Sequence, residues 1–145
     1  MEILNRQASH NYFIYETYEA GIVLTGTEIK SIRNGKCNIK DSYCIIKNHE
    51  VFLLNAHIQT YKEGNIFNHE ETRTRKLMLH KKEILKINDK VEMEGYTLIP
   101  LKIYFKNRFA KVLIGVCKGK KTYDKKQTLK EKDIERELSK STKYR

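Results

Sequence analysis

No stretch of this sequence approaches the roughly 20 consecutive apolar residues that cross a bilayer, and the opening Met1-Glu2-Ile3-Leu4-Asn5-Arg6 lacks the apolar run of a secretion signal. A cytoplasmic protein is expected. Cysteine is scarce: Cys37, Cys44 and Cys117 are odd in number and form no C-x-x-C pair, so neither a disulfide framework nor a zinc knuckle is indicated. They read as small, reduced core or surface residues. The five histidines show no H-E-x-x-H spacing, no G-x-S-x-G elbow occurs, and no glycine-rich phosphate loop with its lysine is present. Metal and nucleophilic catalysis therefore have no motif behind them, and no cofactor is implied. His69-Glu70-Glu71 has the chemistry for a nuclease site, but in a hydrophilic stretch it reads more simply as a solvated cluster.

Negative charge is the other deficit. Eighteen Asp and Glu face 29 Lys and Arg, which leaves a formal +11 and a pI near 9.5. That balance favours a polyanionic partner, and RNA, DNA or an anionic membrane surface would each satisfy it. A length of 145 residues with 39% hydrophobic side chains suits one domain with one core and a tail.

Between about Tyr12 and Cys117, short aliphatic and β-branched runs alternate with Gly, Asn and Asp, the pattern of a mainly β barrel or sandwich with a few helices. The first run is Tyr12 to Glu19. From Thr25 to Gly35 the spacing of Ile29 and Ile32, a threonine ahead of Glu28 and a terminal glycine predict a short capped helix. Ser42–Lys47 and Val51–Leu54 flank Asn48-His49-Glu50 as a hairpin, and Gln59 to Thr74 is polar enough to be an exposed loop. His80 to Lys90 can form a helix with one apolar face against the sheet. Thr97–Phe105 and Ala110–Cys117, joined by Lys106-Asn107-Arg108-Phe109, predict a second hairpin, with the only proline, Pro100, suggesting an edge position.

Composition changes at Lys118. From there to Arg145 eleven basic and five acidic residues carry +6 of the total +11, while Leu129, Ile134 and Leu138 are the only aliphatic side chains. So few cannot offset the roughly 1–2 kcal/mol per residue that backbone ordering costs. Residues 1–117 are thus expected to form the domain, and 118–145 a basic tail, disordered when free and able to become helical on a suitable surface. Within the domain, Lys102-Ile103-Tyr104-Phe105-Lys106-Asn107-Arg108-Phe109 interleaves bases with aromatics, as a phosphate-holding and base-stacking surface would. A strand with rings inward and lysines outward would look the same. Thr72-Arg73-Thr74-Arg75-Lys76 is similarly either a phosphate clamp or a solvated charge run.

Several blocks, in order along nearly the whole chain, resemble the tmRNA-binding (SsrA-binding, small protein B) family. They are Asn5-Arg6-Gln7-Ala8-Ser9-His10-Asn11-Tyr12, the stretch from Tyr18-Glu19-Ala20-Gly21 to Ser31-Ile32-Arg33, Arg73-Thr74-Arg75-Lys76-Leu77, Tyr104-Phe105-Lys106-Asn107, and Lys118-Gly119-Lys120-Lys121-Thr122-Tyr123-Asp124-Lys125-Lys126. Two departures are visible: arginine is usual where Lys126 stands, and a K-E-R-D pattern where this chain has Lys130-Glu131-Lys132-Asp133. Charge is kept there, but planar bidentate contacts are lost.

The resemblance implies an oligonucleotide-binding-type antiparallel β-barrel with peripheral helices that recognises the tRNA-like part of tmRNA and catalyses no covalent step. It implies as partners tmRNA, elongation factor Tu through alanyl-tmRNA, and the ribosome, chiefly small-subunit RNA and the decoding region, with no membrane. The RNA surface it implies comprises His10, Tyr12, Glu19, Arg73, Arg75, Lys76, Met78, Lys106 and Lys111. Met78 replaces the usual leucine, and its flexible thioether keeps apolar contact. Glu19 repels phosphate, so its use would be to accept hydrogen bonds from base amino groups or to orient a basic neighbour; otherwise it fixes the geometry beside Gly21. Gly119, Lys120, Lys121, Tyr123, Asp124, Lys125 and Lys126 correspond to the ribosome-engaging start of the tail. Another oligonucleotide-fold RNA-binding or ribosomal protein would explain the charge but not the ordered motifs.

Overall fold

The computed structural model describes residues 2–61 and 68–120. Its elements are β1 (Glu2–Leu4), α1 (Ala8–Asn11), β2 (Tyr12–Ile22), α2 (Gly26–Arg33), β3 (Cys37–Asn38), β4 (Tyr43–Lys47), β5 (Glu50–Leu54), β6 (His57–Ile58), β7 (Arg75–Met78), α3 (Lys81–Glu94), β8 (Thr97–Lys106) and β9 (Phe109–Gly119). The protein is mainly β, and every strand pairing is antiparallel.

Both hairpins turn on two residues with positive φ, Asn48 and His49 in one, Asn107 and Arg108 in the other. That is the backbone whose twist matches the flanking strands, and asparagine enters it at low cost. The turns are tighter than the expected connections of three and four residues, because Glu50, Lys106 and Phe109 join the ladders as Lys47↔Glu50 and Lys106↔Phe109. Helix α2 starts at the expected threonine: the Glu28 N–H reaches Thr25 Oγ1 at 3.4 Å and the Thr25 N–H reaches Glu28 Oε1 at 2.8 Å. Helix α3 runs one turn beyond Lys90 and stops where Gly95 adopts φ 73°, a left-handed cap glycine accepts without strain. Its Ile84 and Ile87 face the sheet.

The large sheet has the order β1-β8-β4-β5-β7-β2-β9, and β9 also pairs with β8 from Thr97↔Cys117 to Lys106↔Phe109. The succession of neighbours therefore returns to β8, which meets β4 through the single pair Cys44↔Leu98. Inside it lie Ala20, Ile22, Val51, Leu53, Leu77, Leu98, Ile103, Val112, Ile114 and Val116, joined by Ile32 of α2 and Ile84 and Ile87 of α3. Alternation decides which residues these are: along β7, Arg75 and Leu77 are buried while Lys76 and Met78 are exposed.

Three expectations need correction. Pro100 is not on an edge strand; it pairs with Ile114 inside the sheet, beside a register irregularity between Pro100 and Lys102. On its other side β8 changes neighbour from β4 at Leu98 to β1 at Lys102, and Asn5 fills the gap. The Asn5 N–H bonds Leu101 O at 2.9 Å and its Nδ2 bonds Pro100 O at 2.9 Å. Proline is tolerated because no ladder needs its missing N–H there. Second, the flanks of the expected 59–74 loop are built rather than simply exposed: Ile58 and His69 are buried, and Tyr61 and Asn68 bond one another. Residues 62–67 lie outside the described residues. Third, β9 continues past Cys117, with Lys118 paired to Phe13 and Gly119 to Tyr12.

Candidate nucleic-acid interface

The outward face of β2 carries Glu19 and Gly21. Gly21 lies opposite Met78 of β7 on one side and Lys111 of β9 on the other, and Lys111 lies opposite Tyr104 of β8. Four strands thus bring Glu19, Met78, Lys111 and Tyr104 onto one surface, although the sequence separates them by up to 92 positions. An open groove of about 460 Å³ lies over it, lined by Glu19, Gly21, Met78, Leu79, His80, Glu83 and Lys111. Gly21 makes room for Met78: a Cβ at Gly21 would meet Met78 Cε at 3.1 Å. Met78 is half exposed, so its thioether offers an apolar patch at the groove.

The Tyr104 hydroxyl donates to Glu19 Oε2, and Lys106 Nζ stands 3.6 Å from Glu19 Oε1. The Tyr104 hydrogen bond holds the Glu19 carboxyl below the usual range against the opposing effect of burial, and Lys106 and Lys111 add to the lowering. The same contact, after burial, pushes the Tyr104 hydroxyl up to about 12. Near neutral pH the surface therefore presents a carboxylate acceptor framed by two ammonium groups, which can take a base amino group while the lysines face phosphate.

The remaining expected residues divide. Tyr12 stands at the other end of β2, seven residues from Glu19 and so roughly 20 Å along the strand, with His10 just ahead of it in α1. Gly119 and Lys120 join them there: Gly119 pairs with Tyr12, the Lys120 N–H bonds Asn11 O at 2.8 Å, and Lys120 Nζ bonds Ser9 O at 2.9 Å. Lys121, Tyr123, Asp124, Lys125 and Lys126 lie outside the described residues. Lys76 is exposed on β7 and pairs with Glu50 at 2.5 Å.

Arg75 is the clear correction to the RNA surface. It is fully buried and cannot meet a phosphate, because it holds the Glu28 carboxylate at 2.7 Å and the Ala56 carbonyl at 2.7 Å. Its in-phase neighbour Leu77 was the available signal, since residues two apart on a strand share a face. Arg73, one third exposed, gives its guanidinium to the same carboxylate at 2.6 and 3.2 Å and to Val23 O at 3.3 Å. Burial raises the Glu28 pKa, but hydrogen bonds from Arg73, the Thr25 N–H and Arg75 outweigh it and bring it down to about 2. The arginine tract is thus a clamp that ties α2 to β7.

His69 belongs to that support. Its Nε2 donates to Ile58 O at 2.8 Å, and its Nδ1 meets Thr27 Oγ1 at 2.9 Å. Glu71 accepts from the Thr60 N–H and pairs with His57. In the interleaved stretch, Phe105 packs on the core beneath Arg33, whose guanidinium lies 4.2 Å from the ring, while Tyr104 and Lys106 face outward and Phe109 is exposed at the hairpin tip. The rings of that stretch therefore divide, Phe105 to the core and Tyr104 to the outer face.

A mainly β scaffold with a basic, partly aromatic outer face and a groove at the meeting of three strands defines a small protein of the nucleic-acid-binding class. The chain belongs to the SmpB protein family, whose model matches residues 2–144. It is 60% identical over 141 residues to the SsrA-binding protein of Shouchella clausii, covering 97% of this chain and 90% of that protein. It is 58% identical over 137 residues to the SsrA-binding protein of Bacillus pumilus, covering 94% and 88%. A chain of a solved structure described as "tmRNA-SmpB: a journey to the center of the bacterial ribosome" superposes with a TM-score of 0.72 at 46% identity, covering 88% of this chain and 94% of that one.

Proposed function

We propose that this chain binds the tRNA-like domain of tmRNA and delivers it to stalled ribosomes for trans-translation, the rescue of the ribosome with tagging of the incomplete peptide. The observation that carries the reading is the convergence of Glu19, Met78 and Lys111 around Gly21, in a chain 60% identical to an SsrA-binding protein. The return of the strand order to β8 supports a barrel of the oligonucleotide-binding type with its helices outside. Folded RNA is recognised by shape and unpaired bases, and a fixed acceptor between lysines serves both.

In this reading Lys111, Lys106 and Lys76 position the RNA backbone, Glu19 accepts from base amino groups, and Met78 covers an apolar sugar or base face. His10 and Tyr12, with Gly119 and Lys120 beside them, form a second contact region at the end of β9. The segment from Lys118 onward, with its +6 charge, engages the empty mRNA path near the decoding region, Lys121, Tyr123, Asp124, Lys125 and Lys126 included. Elongation factor Tu accompanies the complex through alanyl-tmRNA, in the cytoplasm, and no covalent step falls to this protein.

Sequencing the RNA crosslinked to the protein in its own cell tests the reading. Strong enrichment of one tRNA-like species is expected; a broad RNA population would instead point to a general oligonucleotide-fold RNA binder.

A further inference from the structure

Along β2, ahead of the Glu19 groove, the register with β9 slips between Ile14 and Glu16. Tyr15 is the extra residue, and such a bulge re-aims its side chain out of the ladder. Tyr15 is 58% exposed, more than any other tyrosine among the exposed large side chains of the described residues. Its ring lies 5.1 Å from that of Tyr96, tilted by 31°, so the two form one aromatic surface at the junction of α3 and β8. Two ammonium groups border it. Lys90 stands 4.6 Å from the Tyr15 centroid and 5.9 Å from that of Tyr96, and Lys118 stands 4.7 Å from Tyr96.

Lys90 and Tyr96 cover part of the Tyr15 ring, and its 58% exposure leaves the rest open to a further partner. Lys90 shares its charge with Glu94 at 3.3 Å, whereas Lys118 makes no salt bridge among the described residues. The patch therefore has a positive edge beside an exposed aromatic ring. An unpaired base stacks on such a ring at a gain of roughly 1–3 kcal/mol, and its phosphate neighbours meet the ammonium groups.

We propose that Tyr15 and Tyr96, with Lys90 and Lys118, form a stacking platform for an unpaired nucleotide of single-stranded RNA, separate from the groove around Glu19. It rests on the reading that this chain acts on RNA but uses none of the residues given to tRNA-like recognition.

The test uses the full chain, its Tyr15→Ala and Tyr15→Phe variants, and a fluorescent ten-nucleotide oligouridylate carrying one 4-thiouridine, at a salt concentration of about 0.2 M that suppresses purely ionic attraction. Tyr15→Ala should weaken binding by about fivefold or more, the low end of a lost stacking contact, and Tyr15→Phe should stay within about twofold. Photocrosslinks should map to Tyr15 or Tyr96. Lys118→Gln should lower the salt slope by about 0.7, one phosphate contact on a single strand. Wild-type affinity in Tyr15→Ala, or crosslinks confined to other segments, overturns the platform, including the case in which the patch serves a protein. Binding of a tRNA-like RNA by Tyr15→Ala should match the wild type. If that RNA fails to bind the wild type, the proposed function has failed instead, and the two failures are told apart.

Discussion

Replacing Glu28 with glutamine perturbs the fold where its charge is most concentrated. Glu28 is fully buried, and its two oxygens accept four hydrogen bonds: Thr25 N–H at 2.8 Å and Arg73 Nη2 at 2.6 Å on Oε1, Arg73 Nε at 3.2 Å and Arg75 Nε at 2.7 Å on Oε2. Glutamine keeps the shape but turns one oxygen into a donor that faces donors, and it leaves the buried Arg75 guanidinium without a counter-charge. Removing one partner of a buried pair costs about 3–5 kcal/mol. For a domain of this size that is a fall in Tm on the order of 10–20 °C.

The pH dependence follows from the same contacts. The Glu28 carboxyl sits at about 2 in the fold, against roughly 4.3 in an unfolded chain. Its contribution is fully present above the unfolded value and is lost as pH falls through that window towards 2, about 3 kcal/mol in all. Thermal unfolding followed by circular dichroism at pH 7 and across pH 2–5 checks both figures. A Tm for Glu28→Gln within about 2 °C of wild type at pH 7, or equal acid sensitivity in the two proteins, would refute the assignment. A Glu28→Leu/Arg75→Met pair should lose less than Glu28→Gln alone, since it leaves no unpaired charge at these two positions.

Glu19→Gln should weaken binding of tRNA-like RNA by roughly tenfold while leaving Tm nearly unchanged, because a charged acceptor is lost from an exposed site; equal affinity with a large loss of Tm in the same titration would make Glu19 structural. A chain ending at Lys120 should fold and retain most tRNA-like RNA affinity with a shallower salt dependence, yet fail to support peptide tagging on stalled ribosomes, and normal tagging would remove the tail's role. Ending the chain at Cys117 instead deletes the Phe13↔Lys118 and Tyr12↔Gly119 pairs, so hydrogen exchange at the start of β2 should rise relative to the longer truncation. At matched salt the full chain should prefer tRNA-like RNA over unstructured RNA of equal length; equal binding in an anisotropy competition would leave only electrostatics.

The sequence by itself determined the local structure. Thr25 with Glu28 started α2, asparagines placed the two hairpins, and period-two alternation marked the strands, because caps, turns and pleats are set by residues a few positions apart. It also carried the charge imbalance and the ordered motifs that mark the family. Only the tertiary structure decided what the charges do. Arg73, Arg75 and Lys76 are consecutive or nearly so, yet one ties α2 to β7, one is buried and one faces water, because the pleat and the position of Glu28 sort them. Glu19, Met78 and Lys111 become neighbours through the antiparallel register of β7, β2 and β9, and Tyr15 turns outward because that register slips by one residue. Registers between strands far apart in the chain are fixed by which side chains the shared core accepts, and no short window of sequence contains that information.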